Sequence, residues 1–124
     1  DAHEEARSWY MRAYDKGDSE AARLIGLLHD NGRGVEKSHE EAAKWYTIAA
    51  NLGNSEAHRN IGVLYDNGLG VEQDYAKATE YYMKAGELGD GGGFCCAGVL
   101  HYNGQGTERS YEEALKLFEK AAEL

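Results

Sequence analysis

Apolar residues along this chain recur at helical spacing, and nowhere do they alternate with period two over a useful length. Ala21, Ile25 and Leu28 stand at i, i+4 and i+7, which makes one stripe on a helix of about 12 residues with Gly26 beside it. Ala42, Trp45, Tyr46 and Ala49 stand at i, i+3, i+4 and i+7 of a second helix. That second register returns as Ala6, Trp9, Tyr10, Ala13, then as Ala78, Tyr81, Tyr82, Ala85, then as Ala114, Leu117, Phe118, Ala121. Asp18-Ser19 and Asn54-Ser55 are start signals for the first kind of helix, and the glycine after Asn31 is its stop. Leu52-Gly53 and Leu88-Gly89 stop the second kind. The pattern predicts an all-α chain of about seven helices and no sheet.

The helices come in a repeat whose period is 36 residues. Ile25-Gly26 returns as Ile61-Gly62 and Ala97-Gly98, and Leu28 returns as Leu64 and Leu100. The turn from Asp30 to Glu36 returns from Asp66 to Glu72 and from Tyr102 to Glu108. The expected organisation is a single domain: residues 1–18 as the second helix of a partial unit, then units at 19–54, 55–90 and 91–124. Two short amphipathic helices cannot bury their stripes alone, so successive pairs must stack into an α-α solenoid. The rungs from Trp9 to Phe118 are expected core, each large buried aromatic contributing about 1.5 to 3 kcal/mol.

Composition narrows the function classes. The 124 residues carry 13 basic and 22 acidic side chains, a formal charge of -9. Nucleic acid and anionic membrane surfaces both need a basic face, so neither is an expected partner. No apolar run reaches the roughly 20 residues that span a bilayer, which argues against direct membrane insertion, and no targeting segment is visible. Starting at Asp1, the chain reads as a segment of a longer protein, and its compartment stays open. Glycine is frequent, at 16 residues, and proline is missing; the fixed period turns most glycines from flexible linker into punctuation between helices.

The combined pattern resembles the Sel1-like repeat, a relative of the tetratricopeptide repeat. It reads Ala-x3-(Ile/Ala)-Gly-x-Leu-(Tyr/His)-x2-Gly-x-Gly-(Val/Thr), followed by Ala-x2-(Trp/Tyr/Leu)-(Tyr/Phe)-x2-Ala-(Ala/Gly), and covers essentially the whole chain. The resemblance implies a right-handed superhelix whose first helices line a concave face that takes extended peptides or partner segments. The implied groove residues are Arg23, Leu27, Asp30 and Asn31, then Arg59, Val63, Asp66 and Asn67, then Cys95, Val99, Tyr102 and Asn103. Tetratricopeptide domains often place basic residues at the position of Arg23 and Arg59 to hold a carboxylate, and the arginine fork suits that task. Leu27 and Val63 stand where such clamps commonly have a polar amide. The alternative is that both arginines pair with nearby acids, Glu20 and Glu56 among them. The function expected is a non-enzymatic interaction scaffold for a protein or peptide partner, one with an acidic group if the arginines are free.

Two other readings stay open. A cysteine-rich secreted branch of the resembling family has been linked to penicillin binding and weak β-lactam hydrolysis, but this chain lacks paired cysteines in every repeat. The lone second helix bearing Trp9 and Tyr10, with the terminal helix at the other end, allows self-association through the terminal helices.

The remaining features carry little chemistry. Gly32-Arg33-Gly34 follows a helix rather than a strand and lacks Gly-Lys-Ser/Thr, so it is a turn and not a phosphate loop. Cys95 and Cys96, with His101 nearby, point about 100° apart on a helix and lack zinc spacing; they are structural or redox-sensitive, and no cofactor or metal is expected. His29, Tyr65 and His101 share a register beside the core. Asn31, Asn67 and Asn103 form a ladder that either caps the turn or faces a partner. Gly91-Gly92-Gly93 replaces Ser-Glu-Ala, so this helix is expected to fray at its start, with Asp90 as its cap; the bareness is either degeneracy or room for a ligand or partner backbone.

Overall fold

The computed structural model describes residues 1–124. Seven helices and no strands are present: α1 (Ala2–Asp15), α2 (Ser19–Asn31), α3 (His39–Asn51), α4 (Ser55–Asn67), α5 (Tyr75–Glu87), α6 (Gly91–Asn103) and α7 (Tyr111–Ala122). α2 pairs with α3, α4 with α5 and α6 with α7, while α3 on α4 and α5 on α6 join the pairs. The architecture is an α-α solenoid. α4 also approaches α6, which puts the first helices of the units on the inner side.

Each helix starts on a side chain that accepts from its free amides. Asp18, Asn54 and Asp90 cap α2, α4 and α6, and Ser38, Asp74 and Ser110 cap α3, α5 and α7. The first helices end at Gly32, Gly68 and Gly104, all at φ 66, a left-handed conformation that favours glycine. The Ile-Gly and Ala-Gly pairs have a packing reason. A Cβ on Gly26 would lie 2.7 Å from Tyr46 Cδ1, one on Gly62 2.6 Å from Tyr82 Cδ1, and one on Gly98 2.6 Å from Phe118 Cε1. The glycine is therefore the seat of the ring from the paired helix.

The core is continuous through the units. Tyr46, Ile61 and Leu64 pack with a ring of alanines in the middle, and Tyr82, Phe94, Leu100 and Leu117 pack in the third unit. The expected aromatic rungs divide. Tyr46 and Tyr82 are fully buried and Phe118, in the same register, is half-buried, whereas Trp45 and Tyr81 are half-buried on the flank. Trp9 departs from the expectation altogether, being 65% exposed, and α1 buries no residue completely. The physical reason is that Trp45 is covered by Tyr14 of α1, their ring centroids 5.2 Å apart, while no helix of the structure lies on the corresponding side of α1 to cover Trp9.

The triple glycine does not stop α6 from starting at Gly91, in step with Ser19 and Ser55. Asp90 caps it by accepting from the Gly92 N–H at 3.0 Å. Gly93 is buried, and a Cβ there would collide with the Tyr82 carbonyl oxygen and with Ala85. The space that bareness leaves is thus filled by α5. Phe94 lies where His58 lies one unit earlier, and Gly86 lies where Ala50 lies; a Cβ on Gly86 would be 2.5 Å from the Phe94 ring. The larger aromatic is accommodated by the glycine at the facing position.

Candidate interaction surfaces

The twelve residues expected on the inner face fall into three groups. Arg23 is only 13% exposed, and its fork is filled. Its Nε donates to Glu20 Oε1 at 2.6 Å and its Nη2 to Glu20 Oε2 at 3.0 Å. The same Nη2 lies 3.3 Å from Glu56 Oε2 in the next unit, and Nη1 reaches Asn60 Oδ1 at 3.4 Å. Its hydrogen bond to Arg23 holds Glu20 below the usual carboxylate range, against the opposing effect of burial. Arg59 cannot repeat this, because the position after Glu56 is Gly92; a Cβ there would meet Arg59 Cδ at 3.2 Å. Arg59 swings instead to the cap of α6 and donates from Nε to Asp90 Oδ2 at 2.7 Å. Of the two readings of the arginines, the structure holds the internal ion pairs.

Asp30 and Asp66 form the second group. They are half-buried and accept from the buried tyrosines of the paired helix: Tyr46 Oη donates to Asp30 Oδ2 at 3.0 Å, and Tyr82 Oη to Asp66 Oδ2 at 2.9 Å. His39 Nδ1 donates to Asp30 Oδ1 at 2.6 Å. Burial first, and then the facing carboxylate's charge and each phenol's own hydrogen bond to it, push Tyr46 and Tyr82 above the ordinary tyrosine range. Sequence reasoning missed these pairs, although a signal exists in the repeat itself: where Asp becomes Tyr102, the partner tyrosine becomes Phe118 and loses its hydroxyl.

The third group is available to solvent. Leu27 and Val63 are half-buried, whereas Asn31, Asn67, Asn103 and Cys95 are exposed. Val99 is 46% and Tyr102 53% exposed. Tyr102 packs on Tyr111 with ring centroids 4.9 Å apart, in the place where Asp30 meets His39 in the first full unit. Asn67 Nδ2 donates to the Val63 carbonyl at 3.1 Å, a local cap. The inner face thus grades from internally bonded charge in the first two full units to exposed aromatic and aliphatic surface in the third.

The cysteines are both free thiols. Burial pushes the Cys96 thiol up, which lowers its thiolate fraction and its reactivity. No group of three or more His, Cys, Asp and Glu side chains is placed to hold a metal ion. No helix is long and apolar enough to cross a membrane.

A second concavity lies on the other side of the solenoid, and sequence reasoning did not find it. A groove of about 500 Å³ opens between α3 and α5, with α4 as its floor. Ala43, Lys44, Thr47 and Ile48 form one wall, Ile61, Leu64, Tyr65 and Val71 the floor, and Tyr81 the other wall. Tyr65 and Tyr81 stack nearly parallel, at 5.7 Å and 7°, and His58 continues the stack at 6.2 Å from Tyr81. Lys77 Nζ stands 5.4 Å from the centroid of the Tyr65 ring.

Stacked helix pairs with glycine-seated rings and left-handed glycine stops define a repeat solenoid. The chain belongs to the Sel1 repeat family, whose sequence model matches residues 1–18, 19–54, 55–90 and 96–124. The last match begins beyond the triple glycine. The fold is similar to that of a Sel1 repeat protein from Oxalobacter formigenes, at 36% identity and a TM-score of 0.89 over 98% of this chain and 50% of that one. It is similar to c5321, a protective antigen of uropathogenic Escherichia coli with an SLR fold, at 35% identity and a TM-score of 0.86 over 94% of this chain and 25% of that one. It is also similar to Helicobacter pylori cysteine rich protein B, at 26% identity and a TM-score of 0.71, covering 94% and 89% respectively. The chain therefore spans half the length of the first and a quarter of the second. No curated protein matches it significantly.

Proposed function

We propose that this chain is a non-enzymatic scaffold that holds a protein or peptide segment along the inner face of its first helices. Sel1 repeats are commonly protein-interaction scaffolds and typically lack enzymatic activity. The observation that carries the reading here is the release of Tyr102. Replacing the aspartate and its tyrosine partner together leaves Tyr102 and Val99 exposed beside Cys95 and Tyr111, an apolar area on an otherwise charged chain. The Leu27, Val63 and Val99 row and the Asn31, Asn67 and Asn103 row extend that area along the groove. Arg23 and Arg59 enter the reading as the ties that set the spacing between units, and would reach an acidic group of the partner only by giving up Glu20, Glu56 and Asp90. The test is quantitative capture of a cross-linked native partner by wild type and by Val99→Glu with Tyr102→Glu. Loss of capture with an unchanged circular dichroism spectrum is expected; undiminished capture would overturn the assignment.

A second reading, self-association, is favoured by the outward-facing Trp9 on α1 and Leu115 on α7, 65% and 57% exposed. Light scattering over a wide concentration range decides it, since a strict monomer throughout rules it out.

A further inference from the structure

The groove between α3 and α5 differs from its counterparts elsewhere in the chain at two positions, and both differences point to an occupant. Along the second helices one register reads Met11, Thr47, Met83 and Glu119. Met83 packs against the core of the third unit and Met11 is half-buried, so each fills the space beside its own helix. Thr47 is too short to do so, and its hydroxyl turns back to the Ala43 carbonyl at 2.7 Å. The groove therefore includes space that a methionine fills beside the corresponding helices of the neighbouring units. A second register reads Glu5, Glu41, Lys77 and Glu113. The first turn of a helix favours acids, and α1, α3 and α7 carry them there while α5 carries none. Lys77 inverts the charge against the helix dipole, at the mouth of the groove and over the Tyr65 ring.

We propose that this groove docks an amphipathic partner segment that inserts one large apolar side chain between Thr47 and Tyr81 and sets a carboxylate against Lys77. Lys84 lies two turns further along the same helix, with Tyr81 and Glu80. No carboxylate lies within 4.0 Å of Lys77 or Lys84, whereas Lys44 on the opposite wall is held by Glu41 at 3.7 Å. Of the acids nearby, Asp74 is taken up as the cap of α5, accepting from the Lys77 amide at 3.0 Å. Tyr65 and Tyr81 hold each other in place by stacking and line the groove with rigid ring carbon, which an aliphatic or aromatic anchor meets at small entropic loss. This surface is separate from the inner face of the first helices, so the two can be occupied together.

The test is an NMR titration of the isotope-labelled chain with a panel of short amphipathic helical peptides that carry one Leu, Met, Phe or Trp anchor flanked by glutamates. A matched panel has lysines in place of the glutamates. Saturable shifts are expected at Thr47, Tyr65, Val71 and Tyr81 with the acidic panel, weakening as salt is raised. Two variants restore what the other units have and so keep the fold. Thr47→Met fills the groove and should weaken binding about tenfold or more. Lys77→Glu should weaken the acidic panel and reverse the preference toward the lysine panel. The proposal is overturned by the lack of saturable shifts with any acidic peptide, by shifts confined to Val99 and Tyr102, or by affinities that ignore both substitutions. Groove resonances that move with protein concentration alone would assign the site to a second copy and overturn the partner segment.

Discussion

At the scale of single residues, the hydroxyls of Tyr46 and Tyr82 link a buried ring to a half-buried carboxylate, and each works as the bond between the two helices of its unit. Because the acceptor is charged, removing the donor costs about 1.5–3 kcal/mol. Tyr46→Phe and Tyr82→Phe should therefore each lower the urea midpoint, while the third unit already has the phenylalanine and no carboxylate to satisfy. The same burial and negative charge keep both phenols protonated beyond the ordinary tyrosine pKa. Alkaline spectrophotometric titration of the folded chain should show two tyrosines ionising late, and the double Phe variant should lack them. Arg23 is a comparable tie between units. Arg23→Met, which keeps much of the stem but empties the fork, is expected to cost about 1 kcal/mol, most of it from Glu20 and Glu56 left facing each other.

At the scale of helices, packing distance decides what the repeat pattern leaves free. Alanine normally gains up to about 1 kcal/mol over glycine inside a helix. At Gly93 the added methyl would run into the Tyr82 carbonyl oxygen and the backbone of Gly86. Backbone cannot turn aside as a side chain does, so Gly93→Ala should destabilise by about 1–3 kcal/mol despite its propensity. Circular dichroism melts measure the sign directly. The neighbouring swap can be read in both directions. His58→Phe alone should clash with Ala50, and adding Ala50→Gly should recover the loss, as Gly86 and Phe94 already do in the third unit. His58 also carries a pH dependence. Burial, and then the charge of Lys84, lower its pKa below the ordinary histidine value, so the unfolded chain takes up the proton first. The stability tied to neutral His58 is complete above the unfolded value of about 6.5 and falls as the pH drops below it. The double variant should lose that part of the acid sensitivity, visible as a flatter dependence of the urea midpoint between pH 7.5 and pH 5.5.

For the whole molecule, each helix is stabilised by its neighbours in the stack, and stability is a sum of unit and interface contributions. α1 packs on α2, reaches α3 through Tyr14 on Trp45 and buries no residue fully, while α3, α4 and α5 lie between partners on both sides. Amide hydrogen exchange should therefore be fastest in α1 and slowest in α3 to α5, with α6 protected despite its glycines because Gly93 and Phe94 are buried. Equal protection from end to end would mean that the stack unfolds as one unit.

How much of this was legible in the sequence follows from what kind of force is involved. The period of 36, the stripes at helical spacing, and the glycine and side-chain caps determined the helices and the solenoid. Those features are local or repeat at a fixed distance, and three copies reinforce each other. The sequence also named twelve candidate inner-face positions, yet could not say which charges were free. Arg23 has Glu20 three residues away but also Glu56 a whole unit on, and Arg59 reaches Asp90 because Gly92 leaves the path open. Such choices depend on the offset between stacked units, which only the tertiary structure fixes. Trp9 shows the same limit: its register matches that of Trp45 and Tyr81, but burial requires a helix on its outer side, and register alone does not supply one. The substitutions Thr47 and Lys77 were visible as breaks in their columns. Their meaning emerged only when the structure placed both on one groove, since α3 and α5 are neighbours in the stack and not in the chain.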